Sequence, residues 1–366
     1  MCKKAKTDVV CRQQFQLGFS LVEMMVAMVI FLIVTGSIYG LLQAGRIDRN
    51  RSSRRTDIMK NARATIYLIG RDALNAGLSY HEKGAIVPDD FISSTLGLPV
   101  DADNDRDRLT SVMVGNNLFQ NDLNEDPNVR TDLVAFAYRD MNFNGGTTVA
   151  LTGVAAGNLP TIPQVAAQTG QVGVTNIYDL MLIESDSSQV AVMATARSNF
   201  SIDFAPTDPF GLNQAFNGNG ANGSLLRQCT PPTLTENCMT YLASAKRFFW
   251  VSYRVLQDGT LIRTLYGNNT GQAAERQIQE LPLAYNVKDL QFRYVLRDGR
   301  VTDNPIVGPD GIVGTLDDRP DDFNLIRQIT VTLKVASTEV DEQTGEPEAI
   351  TLNATFSLRN VEYDAG

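Results

Sequence analysis

The sequence predicts an α+β protein, with one long N-terminal helix packed on an antiparallel β-sheet head. Three observations carry this. An apolar run extends from Phe19 to Leu42 with a single charge, Glu23. A helical apolar repeat continues beyond it to Ala76, and past residue 78 short alternating segments are separated by Gly/Asn/Asp-rich turns. At 366 residues, 43% apolar and 20% charged, the chain can bury a core, which excludes wholesale disorder. Its 32 Lys+Arg against 41 Asp+Glu leave a formal net charge of −9. No nucleic-acid partner is expected, because such partners are usually met by a basic face. The single histidine, His81, excludes poly-His metal sites and is the one residue left for any His-based triad.

The first element is the apolar run. A helix over Phe19–Leu42 would be about 36 Å long, enough for a hydrocarbon core of about 30 Å. An ordinary signal peptide fits poorly, because its apolar region is about 7–15 residues long and ends in a small-residue cleavage site. Here the run is longer and no Ala-x-Ala follows it. Beyond the run, Ile58, Ala62, Ile66, Ile69, Ala73 and Ala76 recur at helical spacing on one face. Arg54, Arg55, Asp57, Lys60, Arg63, Arg71 and Asp72 are expected largely off that face, and Gly77 is a stop signal. One helix from about Phe19 to about Gly77 would be roughly 88 Å long. Gly36, Gly40 and Gly45 are expected to loosen its first half, each costing about 1 kcal/mol. The span contains no proline.

The head reads as strands. Thr131–Tyr138 and Tyr178–Ile183 are short apolar segments bounded by turn residues. Phe249–Leu256 and Leu261–Tyr266 flank Asp258-Gly259, a strong hairpin signal. Asp289–Leu296, Arg327–Ala336 and Ile350–Arg359 alternate as strands do. Ala150–Gly173, Asn213–Ser224 and Glu339–Pro347 read as loops. Gly218 to Gly223 matches G-x-G-x-x-G, but it lacks the flanking strand and helix of a dinucleotide site. No nucleophile motif accompanies His81, so an enzyme is not expected.

Gly18-Phe19-Ser20-Leu21-Val22-Glu23, followed by an unbroken apolar helix, resembles the prepilin signal of type IV pilins and type II secretion pseudopilins. The preceding residues are polar, with Lys3, Lys4, Lys6 and Arg12 against Asp8. The resemblance implies a pilin-like fold: a leader over residues 1–18, a long helix over 19–78 that spans the membrane at about 19–42, and a head over 79–366. It also implies cleavage after Gly18 by prepilin peptidase and N-methylation of Phe19. An acid inside a membrane helix costs about 2.5–3.5 kcal/mol, so Glu23 should persist only with a partner. The resemblance supplies the amine of mature Phe19, in the same or a neighbouring subunit, as the docking partner. Positive charge flanks the span on both sides, with Arg46, Arg49, Arg51, Arg54 and Arg55 following it. Charge alone therefore leaves the orientation open; the signal implies a cytoplasmic N-terminus and a periplasmic head.

Further along the chain, Phe249-Trp250-Val251-Ser252-Tyr253-Arg254, Val287 to Tyr294, the Thr-Val-Thr-Leu-Lys-Val strand and Leu358-Arg359-Asn360 are similar to the PilW group of minor pilins. That group implies a role in pilus assembly or priming at the filament tip. The implied partners are other minor and major pilins, prepilin peptidase and the inner-membrane assembly platform. The implied locations are the inner membrane and then the pilus at the cell surface. A type II secretion pseudopilin is the alternative, usually with a smaller head; a calcium-dependent tip adhesin is another.

Cleavage after Gly18 would remove Cys2 and Cys11 and leave Cys229 and Cys238. In an oxidising periplasm these two are expected to pair. No cofactor is required. Two acidic stretches stand as candidate calcium sites: Asp101, Asp103 and Asp105, and, in a Gly-rich loop, Asp310, Asp317 and Asp318. Neither matches an EF-hand, and a solvated acidic turn is the competing reading for both.

Overall fold

The computed structural model describes residues 18–80, 84–99, 107–124, 126, 128–154, 164–167, 172–185, 189–213, 242–305, 323, 325–341 and 344–358. Two compact units make up the chain, Met1–Arg54 and Arg55–Gly366. Helix α1, Leu21–Asn75, contributes to both. In the first unit it is helical throughout, so Gly36, Gly40 and Gly45 do not interrupt it. Within this apolar stretch the Ser37 hydroxyl donates to the Ile33 carbonyl at 2.8 Å, so this polar group is satisfied within the helix. Every residue from Gly18 to Arg46 is exposed.

In the second unit α1 buries Ile58, Ala62, Ile66, Ile69 and Ala73, and Ala76 just beyond its end is buried as well. This is the stripe that the spacing predicts. Asp72 departs from expectation: it is not off the packed face but 0% exposed. Gly77 ends the helix with φ +80, a conformation that favours glycine, and its N–H donates to the Ala137 carbonyl at 3.1 Å.

The strands follow in chain order: β1 Ala85–Ile86, β2 Arg108–Leu109, β3 Val112–Phe119, β4 Thr131–Arg139, β5 Val149–Val154 and β6 Gln164–Ala167. Then come β7 Leu180–Ser185, β8 Gln189–Met193, β9 Ala196–Arg197, β10 Ser201–Asp203, β11 Leu242–Val255 and β12 Leu261–Tyr266. The last five are β13 Ile278–Ala284, β14 Val287–Leu296, β15 Val301–Thr302, β16 Ile326–Val340 and β17 Pro347–Ser357. A short helix α2, Phe91–Leu96, lies between β1 and β2.

The larger sheet runs β2-β1-β8-β7-β11-β5-β6-β10-β9, with β4 and β12 also paired to β11. Strand β11 exchanges partners midway: up to Arg247 it pairs with β7 and β5, and from Phe248 onward with β4 and β12. The smaller sheet is antiparallel, in the order β15-β14-β16-β17. The Asp258-Gly259 turn closes β11 on β12 as predicted; Gly259 has φ +79, and the Asp258 carboxylate accepts from the Thr260 N–H at 2.9 Å. The stretch 150–173 contains β5 and β6 rather than a plain loop. Its small side chains mask any alternation, and it is strand because β11 and β10 offer it backbone partners.

Alternation along β11 divides the core. Val251, Tyr253 and Val255 join the cluster under α1, together with Phe292, Val331 and Leu333 of the smaller sheet. Phe248 and Trp250 point to the opposite face, where Trp250 packs on Tyr266 with ring centroids 4.3 Å apart.

Candidate functional site

The residues singled out by the sequence begin at the start of α1. Gly18, Phe19 and Ser20 precede the helix, and Phe19 is 88% exposed. Ser20 caps the helix: its Oγ accepts from the Glu23 N–H at 3.1 Å, and the Glu23 carboxylate accepts from the Ser20 N–H at 3.0 Å. The Ser20 carbonyl takes the first helical bond, from the Met24 N–H at 3.1 Å. This is a capping box, Ser-x-x-Glu, which satisfies two helix-end donors reciprocally. It turns the Glu23 carboxylate back toward Phe19 and places negative charge at the positive end of the helix. Ser20 was absent from the sequence-derived site, although its spacing to Glu23 is readable.

A second cluster lies in the head, around Asp72. Its Oδ1 accepts from Arg71 Nε at 3.1 Å and from the Tyr138 hydroxyl at 3.0 Å. Its Oδ2 accepts from the Tyr253 hydroxyl at 2.6 Å and from Arg263 Nε at 2.8 Å. Burial, with the Asp72 carboxylate alongside, pushes both phenols well above their usual range. Burial opposes the Arg263 charge, but Asp72 outweighs it and holds the guanidinium pKa above its ordinary value. Both Asp72 oxygens and both phenol hydroxyls are paired, so the cluster is an ionic clamp between α1 and the sheet. A cleft of about 420 Å³ opens beside it, lined by Arg71, Arg139, Arg263 and Asp140 among others. Asp140 is itself paired, to Arg247 at 2.6 Å.

Asp132 ties the two sheets together. From β4 it accepts from the Asn117 N–H at 2.8 Å and from the Phe292 N–H of β14 at 2.7 Å. Burial raises its carboxyl to about 7, against the pull of those two donors. Burial likewise raises Asp179 and Asp208. Burial acts on Glu184 in the same sense, but Lys246 at 2.6 Å outweighs it and the carboxyl is lowered.

The structure places Gly18 and Phe19 just before α1 and Glu23 in its first turn, bonded to Ser20. Cys229, Cys238, Asp101, Asp103, Asp105, Asp310, Asp317, Asp318 and His81 lie outside the described residues. Among the described residues no group of three or more His, Cys, Asp or Glu side chains is arranged to hold a metal.

Residues 14–39 match the family model described as the prokaryotic N-terminal methylation motif. No curated protein and no solved structure matches the chain. The matched stretch contains Gly18, Phe19, the Ser20–Glu23 cap and the apolar first part of α1, which is long and apolar enough to cross a membrane. A prepilin-type motif of this kind supports a type IV pilin or pseudopilin. It implies processing by prepilin peptidase and assembly with other pilins, and it is consistent with membrane anchoring.

Proposed function

We propose that this chain is a minor type IV pilin of the PilW kind, acting without catalysis in pilus assembly or priming at the filament tip. The observation that carries the reading is the methylation motif over residues 14–39 on an apolar helix with no residue buried from Gly18 to Arg46. An apolar surface of that extent needs a cover, and a bilayer followed by neighbouring subunits provides one. In this reading the leader ends at Gly18, the head is periplasmic, and the methylated Phe19 amine meets Glu23 within or between subunits. The capping box holds the carboxylate at that end of the helix before a neighbour arrives. The inner-membrane assembly platform and the other minor and major pilins are the partners.

Expression of the full chain with and without prepilin peptidase tests the reading by intact mass. The expected result is loss of residues 1–18 and gain of one methyl group only when the peptidase is present. An unchanged mass in both cultures rejects it. A type II secretion pseudopilin shares the signal; the large head, residues 79–366, favours the pilin. The reading also carries a Cys229–Cys238 disulfide, checked by the mass shift on alkylation before and after reduction. Calcium binding at Asp310, Asp317 and Asp318, or at Asp101, Asp103 and Asp105, would make the tip a calcium-dependent adhesin. Calorimetry with Asp317→Ala/Asp318→Ala and with Asp101→Ala/Asp103→Ala decides between a site and a solvated turn at each loop.

A further inference from the structure

Strand β17 ends the smaller sheet, and among the described residues no strand pairs with its outer edge. Among the described residues, the other sheet ends are blunted. Strands β2, β9 and β15 have two residues each, β3 carries a register shift between Gly115 and Phe119, and β13 contains Pro282. Strand β17 has eleven residues, and from Ala349 to Ser357 it has no charge and no proline. Its pairing to β16 is regular from Ala349 to Ser357. The Leu358 N–H donates to the Arg327 carbonyl and the Glu348 N–H to Ser337 Oγ, so the even-numbered amides face β16. By the two-residue period, Ala349, Thr351, Asn353, Thr355 and Ser357 turn their N–H and C=O groups to the open edge.

The packing layer is also incomplete there. On β16 the inward residues Ile329, Val331 and Leu333 are fully buried, whereas their partners Phe356, Ala354 and Leu352 on β17 are only half-buried. Strand β17 runs in the same direction as residues 55–70 of α1. Arg55 lies 3.8 Å from Glu348 at one end, and Gly70 sits against the Phe356 ring at the other. One turn before Gly70 on that face of the helix is Tyr67, 71% exposed, preceded by the exposed Arg63. A strand added beyond β17 would bond the N–H and C=O groups of five outward residues and lay its own alternate apolar residues against this side of the helix.

We propose that the edge of β17 receives an extended strand from a different prepilin-type subunit, continuing the sheet β15-β14-β16-β17. This rests on the pilin reading. Antiparallel β17-to-β17 pairing of two copies is disfavoured, because it sets their 55–70 segments head to tail. In the pilin reading, subunits assembled side by side carry those segments in the same direction.

The test places a photo-crosslinking benzoylphenylalanine at Asn353 of the full chain, in cells that assemble the filament, and maps the linked peptide by mass spectrometry. The expected product joins residue 353 to an alternating segment of a different protein bearing the methylation motif. It is lost in Thr351→Pro/Thr355→Pro, which removes outward amides and keeps the backbone bonds to β16, giving up only the exposed Thr355–Thr330 hydroxyl contact. Where that variant melts early, Thr351→Lys/Thr355→Lys replaces it. A link to another segment of this chain, a link to a second copy, no link, or a link insensitive to both variants overturns the proposal. The mass of the chain in the same cells separates the two failures. Cleavage after Gly18 without the link defeats strand addition alone, whereas an uncleaved chain defeats the pilin reading and strand addition with it.

Discussion

Residues 21–46 and residues 58–75 belong to one helix and are both rich in apolar side chains, yet every residue of the first stretch is exposed while the second buries a stripe. Each stretch also holds an acid. Glu23 is exposed and bonds only within its own turn, whereas Asp72 is wholly buried and bonds to three other elements, β4, β11 and β12. In the second stretch the helix has settled its apolar face and its charge inside its own chain. In the first the acid is held only by its own turn and the apolar face is uncovered, the face that a bilayer and neighbouring subunits cover in the proposed reading. Changes at the two acids should therefore separate folding from assembly.

The largest effect is expected at the buried acid. Asp72→Ala leaves Arg263 buried beside two phenols without its carboxylate, a loss of about 3–5 kcal/mol, read by urea unfolding of the detergent-solubilised chain. A change below about 1 kcal/mol would show that the clamp contributes little to holding α1 on the head. Next is a pH dependence centred on Asp132, whose carboxyl stands at about 7 folded against 3.8 as the reference for the unfolded chain. As pH rises through 3.8 the unfolded chain gives up this proton first. Stability fully present below that pH then falls by about 1.4 kcal/mol per unit until it levels near pH 7. Asp179 and Asp208 shift in the same sense, and Glu184 in the opposite one. Asp132→Asn should flatten the slope; an unchanged slope assigns it to the other carboxyls.

A smaller effect is expected at Gly70, where a Cβ would overlap the Phe356 ring. Gly70→Ala should cost about 1–3 kcal/mol, with part recovered in Gly70→Ala/Phe356→Leu. The double-mutant cycle measures the coupling, and strict additivity would remove this contact from the seating of α1 on β17. The smallest effect on folding is expected at the exposed acid. Glu23→Ala breaks the capping box and should shift the unfolding of the head by less than about 0.5 kcal/mol, while incorporation into filaments is lost. Normal incorporation would end its docking role.

The helical stripe from Ile58 to Ala76 and the Asp258-Gly259 hairpin were legible because both depend on contacts within a few residues. The Ser20–Glu23 cap was equally local, a Ser-x-x-Glu pattern at the start of an apolar run. Strands β5 and β6 were not legible. Their small residues give no alternation, and what makes them strands is pairing with β11 and β10, tens of residues away. The burial of Asp72 was hidden for the same reason. On a helical wheel it sits at the margin of the packed stripe, and only Tyr138, Tyr253 and Arg263, brought from three strands, make that margin a place where a carboxylate is satisfied.

By itself, the order of residues determined where the chain is marked by a prepilin-type signal, which helix is apolar all round, and which of its faces packs. Periodicity and short-range bonding set these within a turn or two. The tertiary structure alone decided which acid is buried, how β11 divides its length between two sets of partners, and which sheet edge is left open. Those outcomes depend on which distant backbone and side-chain groups remain to satisfy one another once the layers have closed.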